Sequence, residues 1–241
     1  TSQTWTFQEA LAWFYQISDW LRQKKIGEGD IVGIQLHRSV FMPVLMLAIL
    51  HQNAAFLPIH PEEGPQRLRY LAKNCQLVVY DRTLQTEVIA PAENDLTKES
   101  LQEGTSRWKQ LCRRAAEDCD RTYPLHALKS QRAYLLYTSG SSGLPKAVQI
   151  SHYSLMCRLQ WMNDTYGNGG VTLQKTVNTF DVSVWELLLA PAYGGCLCLM
   201  PQGEEKYTDR IADLTDRWKI QRIHFVPGML EALVRDLEQS G

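Results

Sequence analysis

Apolar positions in the first eighty residues follow two alternating periods. Ala10, Phe14, Ile17 and Leu21 recur at the three-to-four-residue spacing of a helix. Thr6-Phe7-Gln8-Glu9 at its head has the form of a capping box, in which a hydroxyl and a carboxylate three residues apart each satisfy the other's backbone N–H. Gly27 and Gly29 break this period, and Ile31 to Leu36 is a short β-rich run. An apolar helix is predicted over residues 40–52, a strand over Phe56 to Ile59, a helix over Pro65 to Asn74 and a strand over Gln76 to Tyr80. Alternation with short connections implies an α/β fold of layered mixed sheets flanked by helices.

Residues 92–132 depart from this rhythm: they are polar and charged, poor in β-branched side chains, and predict a loop-rich excursion with one surface helix at Trp108 to Cys119. Alternation resumes with a strand at Tyr134 to Tyr137, a Gly/Ser-rich loop, and a strand at Val148 to Ile150. A helix at His152 to Tyr166, a strand at Val171 to Val177, a helix at Val182 to Ala192 and a strand at Cys196 to Met200 follow. Last come a helix at Thr208 to Lys219, a strand at Arg222 to Val226 and a helix at Pro227 to Gln239 with proline at its start.

With 241 residues, 44% of them hydrophobic, the chain can bury the core of one large domain or two small ones. Its net charge of −1 lacks the basic footprint of a nucleic-acid binder. The longest apolar run, Val40 to Leu50, contains Pro43 and falls short of the roughly 20 residues of a membrane span, so it reads as a buried helix. Thr1 to Phe7 has no basic segment leading into an apolar stretch, so no signal peptide is expected. Six cysteines show no Cys-x2-Cys spacing. Cys196 and Cys198 alternate as buried strand residues would. Free, reduced thiols of this kind point to the cytosol.

The sharpest chemical signal is Tyr137-Thr138-Ser139-Gly140-Ser141-Ser142-Gly143-Leu144-Pro145-Lys146, set between two β-rich runs. Glycines let backbone N–H groups turn toward an anion, the hydroxyls add donors, and Lys146 adds a positive charge suited to a polyphosphate. A Walker A loop would need Gly-Lys-Ser/Thr at its end, where this chain has Pro145, Lys146 and Ala147. A Gly/Ser-rich surface loop without function is the plainer alternative.

This segment resembles the phosphate loop of the adenylate-forming (AMP-binding) superfamily, with Ala147 where that family usually has glycine. Further segments are similar to the adenylation domains of nonribosomal peptide synthetases. They are Gly29 to Ile34, Ala54 to Pro61 with Arg67 and Tyr70 (His60 replacing the usual Asp), Ser151-His152, Trp161-Met162, Leu173 to Thr176, Phe180 to Glu186, and His224 to Leu230. The resemblance runs in order along nearly the whole chain. It implies the N-terminal part of an adenylation domain over residues 1–241, without the small C-terminal lid.

The resemblance assigns the phosphates of ATP to Thr138, Ser139, Ser141, Ser142 and Lys146, with Gly140 and Gly143 shaping the loop and His152 supporting it. Thr138 and Lys146 are the expected catalytic pair. It assigns the amino-acid pocket to Asp181, Val182, Trp185 and His224. Asp181 would pair with the substrate ammonium group, which fatty-acid and luciferin relatives lack. Asp181 also suits an N-cap, Trp185 a core position and His224 a satisfied strand end. The combination Asp, Val, Trp, His resembles serine-activating domains, so L-serine is the expected substrate.

The implied chemistry is an adenylate-forming ligase reaction. A carboxylate attacks the α-phosphorus of Mg2+-ATP, and a phosphopantetheine thiol on a carrier domain then attacks the acyl-AMP. A condensation domain is a further expected partner. The magnesium-holding glutamate, ribose-binding aspartate and catalytic lysine of the family would lie beyond Gly241. The 241 residues alone are therefore expected to complete neither half-reaction. An acyl- or aryl-CoA synthetase, which needs no Asp181, and a non-catalytic scaffold module of the same fold are the competing readings.

Overall fold

Helix α1, Phe7–Gln23, starts where the capping box predicts: the Thr6 hydroxyl accepts from the Glu9 backbone N–H at 3.2 Å, and the Glu9 carboxylate accepts from the Thr6 backbone N–H at 2.6 Å. The computed structural model describes residues 4–80, 131–138, 145–167 and 169–240. The expected excursion lies outside these residues except for 131 and 132, as do its surface helix and the cysteines at 112 and 119. The described chain forms two compact units, one of residues Thr1–Leu36 with Val40–Met156, the other of His37–Ser39 with Cys157–Gly241.

In the first unit, α1 is followed by β1 (Ile31–Gln35), α2 (Phe41–His51), β2 (Ala55–Pro58), α3 (Pro65–Ala72) and β3 (Leu77–Tyr80). Then come β4 (Arg132–Thr138) and β5 (Lys146–Ser151). The sheet runs β3-β1-β2-β4-β5, parallel from β3 through β4, with β5 antiparallel at the edge. Every residue of β1 is buried, as a central parallel strand covered on both faces requires. Packing is tight there: a Cβ on Gly33 would sit 3.1 Å from Val78 Cγ2 and 3.2 Å from Ile59 Cδ1. Beneath the sheet, Leu57, Ile59, Leu68, Leu71 and Leu135 form one apolar cluster that fixes α3.

Helix α4, His152–Tyr166, starts in the first unit and ends in the second. The second unit continues with β6 (Val171–Gln174), α5 (Asp181–Tyr193), β7 (Cys196–Leu199), α6 (Thr208–Trp218) and α7 (Pro227–Ser240). Strands β6 and β7 pair in parallel from Val171↔Cys196 to Gln174↔Leu199. Leu173, Met200, Ile211 and Leu233 make the core between them and the last two helices. Ser183 to Ala190 are buried without a break, so α5 is enclosed on all sides for two turns.

Three expectations are corrected. The strand predicted to reach Val177 stops at Gln174, because the Glu186 carboxylate takes the backbone N–H groups of Lys175 and Thr176 out of the ladder. Arg222 to Val226 is not a strand. Arg222 makes a single bridge to Thr172, and the Val226 carbonyl already accepts from Met229 and Leu230 at the start of α7. Cys196 is exposed and Cys198 only half-buried, since β7 has one neighbour. Cys75, Cys157, Cys196 and Cys198 are all free thiols, and burial pushes Cys75 up to about 12 and Cys198 up to about 11. No helix among the described residues is long and apolar enough to cross a membrane.

Candidate active site

The glycine- and serine-rich loop is bracketed by an antiparallel pair. Residues Leu135 to Thr138 of β4 pair with Gln149 to Lys146 of β5, and Thr138↔Lys146 closes the ladder. Pro145 has no N–H to add to it, so the ladder ends at Lys146. The Thr138 hydroxyl donates to the Lys146 carbonyl at 3.4 Å, and both side chains are exposed at the mouth of the hairpin. A hydroxyl and an ammonium thus stand at the two ends of the strand pair that brackets the loop. Ser139, Gly140, Ser141, Ser142 and Gly143 lie outside the described residues.

His152 opens α4 directly after β5, and its backbone N–H donates to the Gln131 carbonyl at 2.9 Å. The side chain is buried, and that burial lowers its pKa while a backbone hydrogen bond at Arg132 opposes the shift. Its Nε2 has no hydrogen-bond partner among the described residues.

In the second unit, Asp181 is the first residue of α5, with Phe180 as the N-cap. It is not the cap itself: its Oδ1 accepts from the Val182 N–H at 2.9 Å, and the carboxylate remains exposed. The positive end of the helix favours a carboxylate in that turn. Val182 is half-buried and Trp185, one turn further, is buried. The Trp185 ring meets His224 edge to face at a centroid distance of 6.4 Å. His224 lies in the connection before α7 and is half-buried. Burial, then the Lys175 ammonium, lowers its pKa; Asp181 pulls it back up and Arg158 lowers it. These couplings place Asp181, Trp185 and His224 around one region of the second unit.

Behind α5 lies a polar cluster that periodicity and spacing did not single out. Glu186, the residue after Trp185, is fully buried. Its carboxylate accepts from Thr176 Oγ1 at 2.7 Å, the Thr176 N–H at 3.0 Å, and the Lys175 N–H and Gln174 Nε2 at 3.3 Å. Arg38 donates to the carbonyls of Met200 and Lys175, both at 2.8 Å, with Glu205 at 3.6 Å. The buried Lys175 ammonium sits 3.5 Å from Met229 Sδ and 4.9 Å over the Phe225 ring. Glu186 and Lys175 stand within segments that carry the family resemblance, but nothing in the sequence marks Arg38.

No group of three His, Cys, Asp or Glu side chains among the described residues is placed to hold a metal.

The family described as AMP-binding enzyme matches residues 1–241. The chain is 30% identical over 243 residues to zwittermicin A synthase ZmaJ of Bacillus cereus, covering 99% of this chain and 44% of that protein. It is 31% identical over 246 residues to vanchrobactin synthetase VabF of Vibrio anguillarum, covering 98% of this chain and 8% of that protein. It thus spans less than half the length of these relatives. A crystal structure of AB3403, a four-domain nonribosomal peptide synthetase bound to AMP and glycine, superposes with a TM-score of 0.76. The match has 25% identity and covers 98% of this chain and 17% of that one. The fold is that of the N-terminal subdomain of an adenylate-forming enzyme.

Proposed function

The chain belongs to the AMP-binding enzyme family, and from that premise we propose that it activates an amino acid as its aminoacyl-AMP within a nonribosomal peptide synthetase. The observation that carries this reading is Asp181, an exposed carboxylate in the first turn of α5 beside Trp185 and His224. A substrate ammonium group supplies the charge that such a carboxylate lacks. A fatty or aryl acid does not.

Thr138 and Lys146 take phosphate oxygens of ATP, together with the loop residues Ser139, Ser141 and Ser142. Lys146 meets the negative charge that builds on the departing pyrophosphate. Asp181 holds the ammonium group and fixes the orientation of the substrate. One bond forms between a carboxylate oxygen and the α-phosphorus, and the bond to the pyrophosphate oxygen breaks. Mg2+, when bound with the nucleotide, would supply charge neutralisation at the phosphates. In the second half-reaction, the phosphopantetheine thiol of a carrier domain attacks the acyl carbon and releases AMP.

The side-chain pocket favours a small hydroxylated amino acid, and L-serine fits best. Trp185 fills space that a larger side chain would need. His224, kept neutral, offers a nitrogen lone pair to a hydroxyl. A carrier domain and a condensation domain are the proposed partners, and the free thiols suit a cytosolic protein.

ATP–pyrophosphate exchange on the intact protein with a panel of amino acids tests the reading. Exchange strongest with L-serine supports all of it. Exchange with another amino acid overturns the serine assignment alone. Exchange confined to fatty or aryl acids overturns the aminoacyl reading.

A further inference from the structure

Helix α3 carries one polar side chain that reaches both ends of the phosphate loop. Leu68, Leu71 and Ala72 root the helix in the core beneath the sheet, with Tyr70 and Tyr137 packed against the same cluster. From this base the Tyr70 hydroxyl donates to the Pro145 carbonyl at 3.2 Å, on the β5 side of the loop. Its ring lies 6.1 Å from that of Tyr137, on the β4 side, at an interplanar angle of 60°. The Lys73 ammonium covers the Tyr70 ring at 4.8 Å.

We propose that Tyr70 is a positioning residue for ATP: its hydroxyl fixes Pro145, and through it Lys146, at the distance from Thr138 that the phosphates require. The reason lies in the local chemistry. Pro145 has no N–H and stands outside the ladder, so its carbonyl is its only backbone hydrogen-bonding group. The ladder reaches Lys146 and no further. On an exposed edge strand one pair of residues is a weak hold, and the Thr138 to Lys146 contact is long at 3.4 Å. The Tyr70 hydroxyl adds a tie from a helix rooted in the core by Leu68, Leu71 and Ala72 to the residue ahead of the lysine. Tyr70 need not touch the nucleotide to do this. The inference rests on the reading of the loop as the ATP site given above.

The test uses the intact protein with Tyr70→Phe, which removes only the hydroxyl, and Tyr70→Leu, which also removes the ring. Three quantities are measured: the Kd of a non-hydrolysable ATP analogue by calorimetry without any acid substrate, the separate KM values for ATP and amino acid in exchange, and the thermal midpoint. Tyr70→Phe is expected to raise the analogue Kd and the ATP KM about three- to tenfold, the range of one neutral hydrogen bond. The amino-acid KM and the thermal midpoint should stay unchanged. Tyr70→Leu should weaken nucleotide binding at least as much and also lower the midpoint. An unchanged analogue Kd in Tyr70→Phe, or parallel rises in both KM values, overturns the proposal. A wild-type protein that binds the analogue but exchanges with no amino acid overturns the aminoacyl reading and leaves the Tyr70 test standing. A wild type that binds no analogue overturns both.

Discussion

Trp185 and His224 meet edge to face, their planes 76° apart, and this contact joins the first turns of α5 to the segment leading into α7. Edge-to-face pairs fix the relative orientation of both rings beyond what area burial supplies. Trp185 is held from behind as well, since the next residue, Glu186, is tied to Gln174, Lys175 and Thr176. The wall that would face a substrate side chain is thus backed by hydrogen bonds on one side and ring contact on the other. Such backing lets a pocket discriminate by shape.

Replacing Asp181 removes the carboxylate proposed to hold the ammonium group. The helix does not depend on it for its cap, because Phe180 fills that position. Asp181→Ala is expected to lower kcat/KM for the amino acid on the order of tenfold to hundredfold, as loss of a hydrogen bond between charged groups does. Kd for an ATP analogue should not change. Steady-state exchange beside calorimetry checks both, and equal losses for amino acid and nucleotide would contradict the assignment.

The pH dependence of His224 follows from its surroundings. Burial, Lys175 and Arg158 disfavour the imidazolium, and Asp181 favours it; the net shift is downward from 6.5. A depressed histidine contributes stability that is present above its unfolded pKa and lost as pH falls through the folded value. Substrate binding that uses the neutral ring should therefore persist to a pH below the ordinary histidine range and then weaken. Lys175→Met removes one depressing charge, so the acid limb of amino-acid KM should move up. The KM–pH profiles of wild type and variant decide this, and an acid limb that stays in place would exclude Lys175 as its cause.

Much of the fold was legible because its determinants are local. The Thr6–Glu9 box and the buried run of Ile31 to Gln35 are read from neighbouring residues alone. The two strands that flank the glycine- and serine-rich loop were also visible, though their antiparallel pairing was not. The failures involve long-range partners. Glu186 ends β6 from twelve residues away, and no window around Val171 contains that information. Ile223 and Phe225 alternate like strand residues because both pack on the Leu173 core, yet Pro227 commits the following backbone to a helix. Asp181 looked able to cap α5, and only the backbone of Phe180 decides that it lies one residue inside.

Gly195 connects α5 to β7 under two constraints. Its φ is +121°, and a Cβ there would stand 2.7 Å from the Gly170 carbonyl oxygen. Neither the conformation nor the backbone contact can relax cheaply, because Cys196 N donates to that same Gly170 carbonyl at 2.8 Å. Gly195→Ala is expected to destabilise the fold by about 1–3 kcal/mol. Thermal unfolding of the variant checks this, and an unchanged midpoint would show that the turn is not confined as described.

Glu186 offers the sharpest test of how the pocket is held. Its carboxylate is the shared acceptor for Lys175 N, Thr176 N, Thr176 Oγ1 and Gln174 Nε2, so Glu186→Ala strands several buried donors at once. A loss of about 3–5 kcal/mol is expected for breaking such a network. Glu186→Gln keeps one carbonyl acceptor and should recover part of that loss. Burial raises the Glu186 pKa, against the opposing pull of Thr176 and Lys175. A carboxyl whose folded pKa is raised contributes stability that is full below its unfolded value and declines as pH climbs through the folded one. The wild type should therefore lose stability relative to Glu186→Gln as pH rises above the ordinary carboxylate range. Denaturant melts of both proteins across that rise measure the difference. A gap that widens in favour of the wild type with rising pH would mean that the hydrogen bonds, and not burial, govern this carboxylate. The amino-acid KM of Glu186→Gln should rise while nucleotide Kd holds, because the residue stands directly behind Trp185 in the proposed amino-acid pocket.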